Sequence, residues 1–150
     1  MIMASGKDFS PQQLFNSLRG KWALNRVLSS GERMSGTACF RYLGPALLHY
    51  REDGLLTVTG ENTVPVYREY YYRLDQNQIR VCFADHNYDR PLHVLRFAEG
   101  RVATDVHLCG PDTYAGYYNF SADDRFTINM EVSGPHKGYT ILTTYHRAIS

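Results

Sequence analysis

Turn signals at short, regular intervals constrain the fold of this chain more than any other feature of its sequence. Clusters of Gly, Pro, Asn, Asp and Ser recur about every eight to twelve residues, from Ser30-Gly31 to Gly134-Pro135. The runs between these clusters are short and alternate in polarity. Twelve tyrosines and seven phenylalanines suit pleated surfaces. The pattern therefore predicts an all-β barrel or sandwich.

The runs between turns predict about eleven strands in meander order, which can close into a single antiparallel up-and-down β-barrel. No linker or repeat divides the chain, so we expect one domain over residues 1–150, with the barrel at about 20–147. A barrel of about eight to ten strands is just wide enough to hold a small ligand. The predicted strands cover residues 21–29, 35–43, 46–52, 55–60, 66–74, 78–84, 91–97, 101–109, 112–120, 125–132 and 139–147.

A short helix is predicted ahead of the barrel, over about residues 11–18. Ser10 fits the N-cap, Pro11 fits the first helical position, and Gln13 completes a capping box. Gly20 can end the helix. We expect the apolar stripe to cover one end of the barrel; it consists of Leu14, Phe15 and Leu18.

Composition and charge exclude several classes of protein. The chain is 43% hydrophobic and 21% charged, unlike a disordered polymer. A net charge of +1 gives no electrostatic argument for a nucleic-acid or membrane partner. The sequence contains no apolar run long enough to span a bilayer and no recognisable secretory signal. The three cysteines are far apart and odd in number, which favours reduced thiols and a cytoplasmic location.

Strand alternation places two arginines on otherwise apolar faces. In the first strand, Arg26 shares a face with Trp22 and other apolar residues. In the hairpin 66–84, a loop at Asp75 to Gln78 pairs Tyr72 with Val81, and Arg68 shares the apolar face of Tyr70 and Tyr72. In the last hairpin, 125–147, a six-residue loop pairs Met130 with Ile141. Alternation in 46–52 brings Glu52 to the same side as these arginines.

Two arginines inside one small barrel need an explanation, because a buried guanidinium is costly unless it is paired. One interpretation is a structural network in which Glu52 pairs with Arg26 or Arg68 and tyrosine hydroxyls close the network. The other is a cavity that receives an anionic or carbonyl group, which the guanidinium fork suits. The two interpretations do not exclude each other, since a network can preorganise a site.

The segment 105–118 holds the richest chemistry. A turn at Gly110-Pro111 pairs His107 with Tyr114 and Cys109 with Asp112. Apolarity alone would turn the opposite face, with Val106 and Leu108, towards the interior, whereas aromatic residues favour the His107 face. The sequence leaves both orientations open.

Catalytic and metal chemistry have weak sequence support. A Cys109–His107–Asp112 triad can be drawn, but no oxyanion hole is evident. The six histidines form no tight cluster, so we expect no metal and no haem or other cofactor. Tyrosines and arginines alternate in 67–73, but the balanced charge gives no groove for a nucleic-acid backbone.

The order and spacing of several motifs resemble a family catalogued as domain of unknown function 6314, over about residues 14–147. The motifs are Gly20-Lys-Trp-Ala-Leu-Asn-Arg26, Gly36-Thr-Ala-Cys-Phe40, Tyr50-Arg-Glu-Asp-Gly54, Arg68-Glu-Tyr-Tyr-Tyr72, His107-Leu-Cys-Gly-Pro-Asp-Thr-Tyr114 and Gly134-Pro-His-Lys-Gly-Tyr139. The resemblance implies a calycin, a lipocalin-like barrel that holds small molecules in a central cavity. The family often has tryptophan where this chain has Met130. The polar set that the resemblance implies here is Arg26, Arg68, His107, Asp112, Tyr114 and Lys137.

The leading expectation is a binding protein for a small anionic or aromatic molecule. Arg26 and Arg68 would hold the charge, and Trp22, Tyr70 and Tyr72 would form an aromatic wall. His107 and Tyr114 would donate hydrogen bonds, and Lys137 at the rim could meet a charged end.

Two alternatives remain open. One is a small calycin-like enzyme, by analogy with phenolic acid decarboxylases, in which Glu52 or His107 moves a proton during acid/base chemistry on a carboxylate substrate. The other is a protein-interaction module that uses exposed tyrosines such as Tyr67 and Tyr71. The sequence does not decide whether the barrel forms a homodimer.

Overall fold

A computed structural model describes residues 9–58, 60, 62–85, 89–98 and 100–148. The chain forms one helix, α1 (Pro11–Ser17), followed by ten strands. The strands are β1 (Gly20–Leu28), β2 (Arg33–Gly44), β3 (Leu47–Thr57), β4 (Thr63–Asp75), β5 (Gln78–Phe83), β6 (Pro91–Arg96), β7 (Val102–Cys109), β8 (Asp112–Ala122), β9 (Arg125–Gly134) and β10 (Lys137–Arg147).

All ten strands belong to one antiparallel sheet with the order β6-β5-β4-β3-β2-β1-β10-β9-β8-β7. Strand β1 pairs with both β2 and β10, so the beginning and the end of the chain meet in the middle of the sheet. The sheet curls until β6 and β7, its two ends, approach each other. The predicted all-β antiparallel barrel with a short N-terminal helix is confirmed, although it is only nearly closed and has ten strands instead of eleven.

Three predicted hairpin registers are confirmed. Tyr72 lies opposite Val81 in the β4–β5 hairpin. His107 lies opposite Tyr114 in β7–β8, and Met130 pairs with Ile141 in β9–β10. These registers fix which side chains point into the barrel, because a slip of one residue would reverse every side chain.

The predicted strands 46–52 and 55–60 are wrong as separate elements, because β3 runs without interruption through Asp53-Gly54. Gly54 lies opposite Gly36 in β2. A Cβ atom on Gly54 would come within 2.6 Å of the Ser35 carbonyl oxygen and of the Met34 methyl. The glycine therefore serves a close approach of two strands rather than a turn.

Helix α1 covers one end of the barrel, as predicted. Ser10 caps it by accepting a hydrogen bond from the Gln13 N–H at 3.3 Å, but the C-cap is Leu18, and Gly20 instead begins β1. The Trp22 indole donates to the Leu18 carbonyl at 2.9 Å. The described residues contain no helix that is long and apolar enough to cross a membrane.

The apolar core fills the barrel next to α1. Phe15 is fully buried, and Trp22 packs edge-on against Phe126, with 4.8 Å between ring centroids. Phe126 stacks on Tyr145 at 4.2 Å. This end of the barrel, which we call the floor, is packed with buried aromatic rings.

A seam between β6 and β7 completes the barrel through side chains, since no ladder joins these strands in the described residues. The backbone N–H of Val94 donates to the Asp105 carboxylate at 2.7 Å. The fully buried His93 ring contacts the Tyr114 carbonyl at 2.9 Å and the Tyr118 hydroxyl at 2.7 Å. Gly116 makes room for this ring, because a Cβ atom there would lie 2.6 Å from it.

Candidate functional site

A cavity of about 320 Å³ lies beyond the floor, towards the end of the barrel away from α1. Its walls combine aromatic rings, a few aliphatic side chains and one group of charged residues. Seven of its lining residues are tyrosines, so hydroxyl groups are abundant around the space. They are Tyr50, Tyr70, Tyr72, Tyr114, Tyr118, Tyr139 and Tyr145.

Arg26, Glu52 and Arg68 meet on the cavity wall and form what we call the charged cluster. Arg26 binds Glu52 through both terminal nitrogens, at 2.5 and 2.9 Å. Arg68 Nε donates to the same carboxylate at 3.1 Å. The predicted network is therefore present, with one carboxylate serving both arginines.

Neighbouring hydroxyls complete the charged cluster. The Tyr50 hydroxyl donates to Glu52 at 2.5 Å and contacts the Tyr145 hydroxyl at 2.7 Å. Arg26 Nε donates to the Thr143 hydroxyl at 2.8 Å. Glu52 thus accepts four hydrogen bonds, two on each oxygen, which fills the capacity of a carboxylate.

Glu52 is ionised in this environment. Its burial alone would favour the neutral acid, but hydrogen bonds from Arg26 and the charge of Arg68 outweigh burial and lower its pKa to about 2. With that pKa the carboxylate stays ionised near neutral pH and is a weak base. In the enzyme alternative, the proton-transfer role would therefore fall to His107 rather than to Glu52.

Arg68 differs from Arg26 in its exposure. The Arg26 side chain is 8% exposed, whereas that of Arg68 is 40% exposed. Arg68 Nη1 donates to the Tyr70 hydroxyl at 3.3 Å. Its second terminal nitrogen, Nη2, makes no hydrogen bond to any described residue. The edge of this guanidinium is available to a molecule in the cavity.

The structure orients the β7–β8 hairpin with the His107 face inward. His107, Cys109 and Tyr114 line the cavity, whereas Val106 and Leu108 are 55% and 69% exposed on the outside. Apolarity alone gives the wrong face because the inner wall of this barrel is polar. His107 packs against the Phe83 ring at 5.5 Å and the Tyr114 ring at 6.4 Å.

Asp112 and Lys137 lie beside the cavity and do not line it. Lys137 Nζ donates to the Asp112 carboxylate at 3.2 Å and to the Tyr114 hydroxyl at 2.9 Å. Gly134 in the intervening strand leaves the space that the Asp112 carboxylate occupies. The pair therefore holds Tyr114 at the rim.

The structure places most, but not all, of the predicted site residues around the cavity. Trp22 points inward as alternation requires, but it lies in the floor and not on the predicted aromatic wall. The depth of a residue along the barrel, unlike its face, depends on where α1 packs. The predicted residues that do line the cavity are Arg26, Glu52, Arg68, Tyr70, Tyr72, His107 and Tyr114.

Sequence reasoning did not assign site roles to Tyr50, Tyr118, Thr143 or Tyr145. Three of them had a usable signal: Tyr50 shares the face of Glu52, Tyr118 shares that of His107, and Tyr145 lies on the core face of its hairpin. Buried His93 had no comparable signal, because its partners lie on β8, far away in sequence.

No group of three or more His, Cys, Asp or Glu side chains within the described part of the chain is arranged to hold a metal ion. His86 lies outside the described residues. Cys109 is exposed, and no thiol–imidazole hydrogen bond joins it to His107 among the described contacts.

The fold and its cavity define a small antiparallel barrel with a polar, aromatic interior. Residues 18–147 match the family described as "Family of unknown function (DUF6314)", and the chain belongs to that family. A comparison with curated protein sequences finds no significant match.

Solved structures similar to this chain are β-barrels. The S-type phycobiliprotein lyase CPES from Guillardia theta has a TM-score of 0.68 at 14% identity, covering 95% of this chain and 94% of that one. A redesigned β-barrel, mFAP0, bound to DFHBI has a TM-score of 0.53 at 14% identity, with coverages of 87% and 99%. EF1p2_mFAP2b bound to DFHBI has a TM-score of 0.57 at 10% identity, with coverages of 93% and 100%. At these identities the similarity concerns the fold alone.

Proposed function

We propose that this barrel is a calycin-like binding protein for a small organic anion, held in the cavity by Arg68. One observation carries the proposal: the charged cluster contains two guanidinium groups for one carboxylate, and that carboxylate has no further capacity. The excess positive charge lies next to Arg68 Nη2, which has no partner among the described residues. An anionic ligand would supply the missing acceptor.

The cavity walls support an aromatic or otherwise flat body for this ligand. Tyr70 and Tyr72 present rings on one side, and Tyr118 presents a ring on another. A volume of 320 Å³ equals that of about ten water molecules in the liquid, so it suits a small ligand better than a long lipid chain. The neighbouring barrels that bind DFHBI support small-molecule binding by this type of fold.

The residues divide into three roles in this proposal. Arg68 contacts the ligand, and Arg26 and Glu52 fix the orientation of Arg68. His107 and Tyr114 offer hydrogen bonds from the opposite wall. Asp112 and Lys137 act indirectly, by holding Tyr114.

Cysteine chemistry supports a cytoplasmic location. Cys39, Cys82 and Cys109 are all free thiols, and only Cys82 is buried. Exposed thiols persist in reducing compartments, where disulfides are uncommon.

The proposal is tested with 2-naphthoate and its neutral analogue 2-naphthamide, which have the same ring system. We expect 2-naphthoate to raise the melting temperature and the amide to have little effect, because only the anion pairs with Arg68. Arg68→Gln should weaken binding by roughly tenfold or more, measured by isothermal titration calorimetry.

Arg51→Gln is the matched control for this experiment. The Arg51 side chain is 41% exposed, close to the 40% of Arg68, but it pairs with Asp53 on the outer face of β3. Binding should therefore be unchanged in this variant. Equal affinity for the amide, or equal losses in both variants, would contradict the proposal.

A further inference from the structure

We distinguish an inner half of the cavity, next to the floor, from an outer half at the rim. The positions of the hydroxyl protons give these two halves different hydrogen-bonding polarity. A phenol has one proton to donate and lone pairs to accept. Where one partner can only accept, the tyrosine must donate, and its oxygen then offers only lone pairs to the cavity. The hydrogen-bond partners therefore assign the polarity of each wall.

On the inner wall, three tyrosine protons are already used, those of Tyr50, Tyr145 and Tyr118. Tyr50 donates to ionised Glu52, so the contact between the two hydroxyls requires Tyr145 to donate to Tyr50. The Tyr114 carbonyl can only accept, which assigns the proton to His93 Nε2. Burial lowers the pKa of His93 and keeps the ring neutral, so Tyr118 donates to its Nδ1.

The remaining inner hydroxyls belong to Tyr72, which is 3% exposed and has no hydrogen bond to the described residues, and to Thr143, which accepts from Arg26 Nε and keeps its own proton. The inner wall thus offers two acceptors, Tyr118 and Tyr145, and two neutral donors, Tyr72 and Thr143. Such a set fits a hydroxyl or amine group, which donates and accepts. A second carboxylate fits this set less well than a hydroxyl or amine, because it would also face the two oxygens without protons.

The outer wall has the opposite polarity. Tyr70 accepts from Arg68 Nη1, and Tyr114 accepts from Lys137 Nζ, so both tyrosines keep their own protons free to donate. Together with Arg68 Nη2, these groups form a donor-rich half of the cavity.

We infer that the ligand is an organic monoanion whose charge lies at the outer half, against Arg68, and whose inner end is neutral and donates a hydrogen bond. This inference rests on the proposed function and names the ligand class for the same site. Lys137 acts as a positioning residue, because its bond to Tyr114 leaves the tyrosine proton for the ligand.

Three naphthalene acids of the same shape test the inference by isothermal titration calorimetry at pH 7. They share a 2-carboxylate and differ at position 6: a hydroxyl, a methyl group or a second carboxylate. We expect the hydroxyl compound to bind roughly tenfold or more tighter than the dicarboxylate. It should also bind several-fold tighter than the methyl compound, about the value of one hydrogen bond.

Arg68→Gln distinguishes a failure of the inference on polarity from a failure of the proposed function. If the dicarboxylate binds as tightly as the hydroxyl compound and both lose affinity in Arg68→Gln, the inference on polarity is wrong and the proposed function stands. If the methyl compound binds as tightly as the hydroxyl compound, the inner end of the ligand does not donate a hydrogen bond, and that part of the inference is wrong. If none of the three depends on Arg68, the proposed function is wrong as well.

Discussion

The charged cluster and the seam each join different strands of the same barrel. The charged cluster does so through ion pairs, whereas the seam does so through hydrogen bonds around a neutral ring. The charged cluster joins β1, β3 and β4 through Arg26, Glu52 and Arg68. The seam joins β6 to β7 and β8 through neutral His93, with Asp105 accepting a backbone N–H.

The difference lies in what each region leaves unpaired. The His93 ring has a partner at each nitrogen, so the seam is complete without a ligand. The charged cluster retains an excess guanidinium edge at Arg68. Both regions are built from buried polar groups, but only the charged cluster has a group left over for another molecule.

The largest expected effect comes from breaking the charged cluster with Glu52→Gln. The change removes the one carboxylate that pairs with Arg26 and Arg68 among the described residues, and Arg26 is buried. Loss of one partner from a buried ion pair costs about 3–5 kcal/mol. Urea unfolding should show that loss in the free energy of unfolding.

Asp53→Asn is the control for Glu52→Gln, because Asp53 pairs with Arg51 on the surface and is 56% exposed. A surface pair contributes at most about 1 kcal/mol. If Glu52→Gln cost no more than Asp53→Asn, the charged cluster would not stabilise the barrel.

A smaller effect is expected when the seam is overpacked by Gly116→Ala. The new methyl group would meet the His93 ring at 2.6 Å, and His93 is fully buried. Overpacking of this kind costs about 1–3 kcal/mol. Thermal unfolding should show a lower melting temperature, whereas Gly138→Ala, which meets no atom within 4 Å, should leave it close to that of the wild type. Equal melting temperatures for the two variants would mean that the ring moves away freely.

The smallest effect concerns the pH dependence of the seam. Burial lowers the pKa of His93 in the folded protein below its ordinary value of 6.5. The unfolded chain therefore binds more protons below about pH 6.5, so the stability from neutral His93 is complete above that pH and is lost as the pH falls below it.

His93→Gln should remove this component, because glutamine donates and accepts without titrating. The measurement is the free energy of unfolding of wild type and variant between pH 5 and 8. His146→Gln, on the outer face, should retain the wild-type dependence. A parallel pH profile for wild type and His93→Gln would contradict the assignment.

Much of the fold could be predicted because turns and alternation fix hairpin registers locally. Tyr72 opposite Val81 and His107 opposite Tyr114 needed only a turn position and a period of two. Gly54 was misread as a turn because its role depends on Gly36, which lies opposite in a neighbouring strand. The sequence contains both glycines but does not show that the two backbones approach closely there.

The candidate site could be predicted in part for the same reason. Alternation placed Arg26, Glu52 and Arg68 on inner faces, and a buried arginine required a partner. Alternation could not predict the position of Trp22 along the barrel axis, because that position depends on how α1 fills the end of the barrel. The orientation of His107 also needed the closed barrel, since both faces of its hairpin carry aromatic residues.

The seam also determines what the barrel would become if it opened. Strands β6 and β7 would then be the two free edges of one sheet, each with unpaired backbone groups. Free edges recruit strands from other chains, which leads to domain exchange and aggregation. Because the uncharged His93 ring, seated over Gly116, helps to hold these edges together, we expect its loss to make strand exchange and aggregation easier.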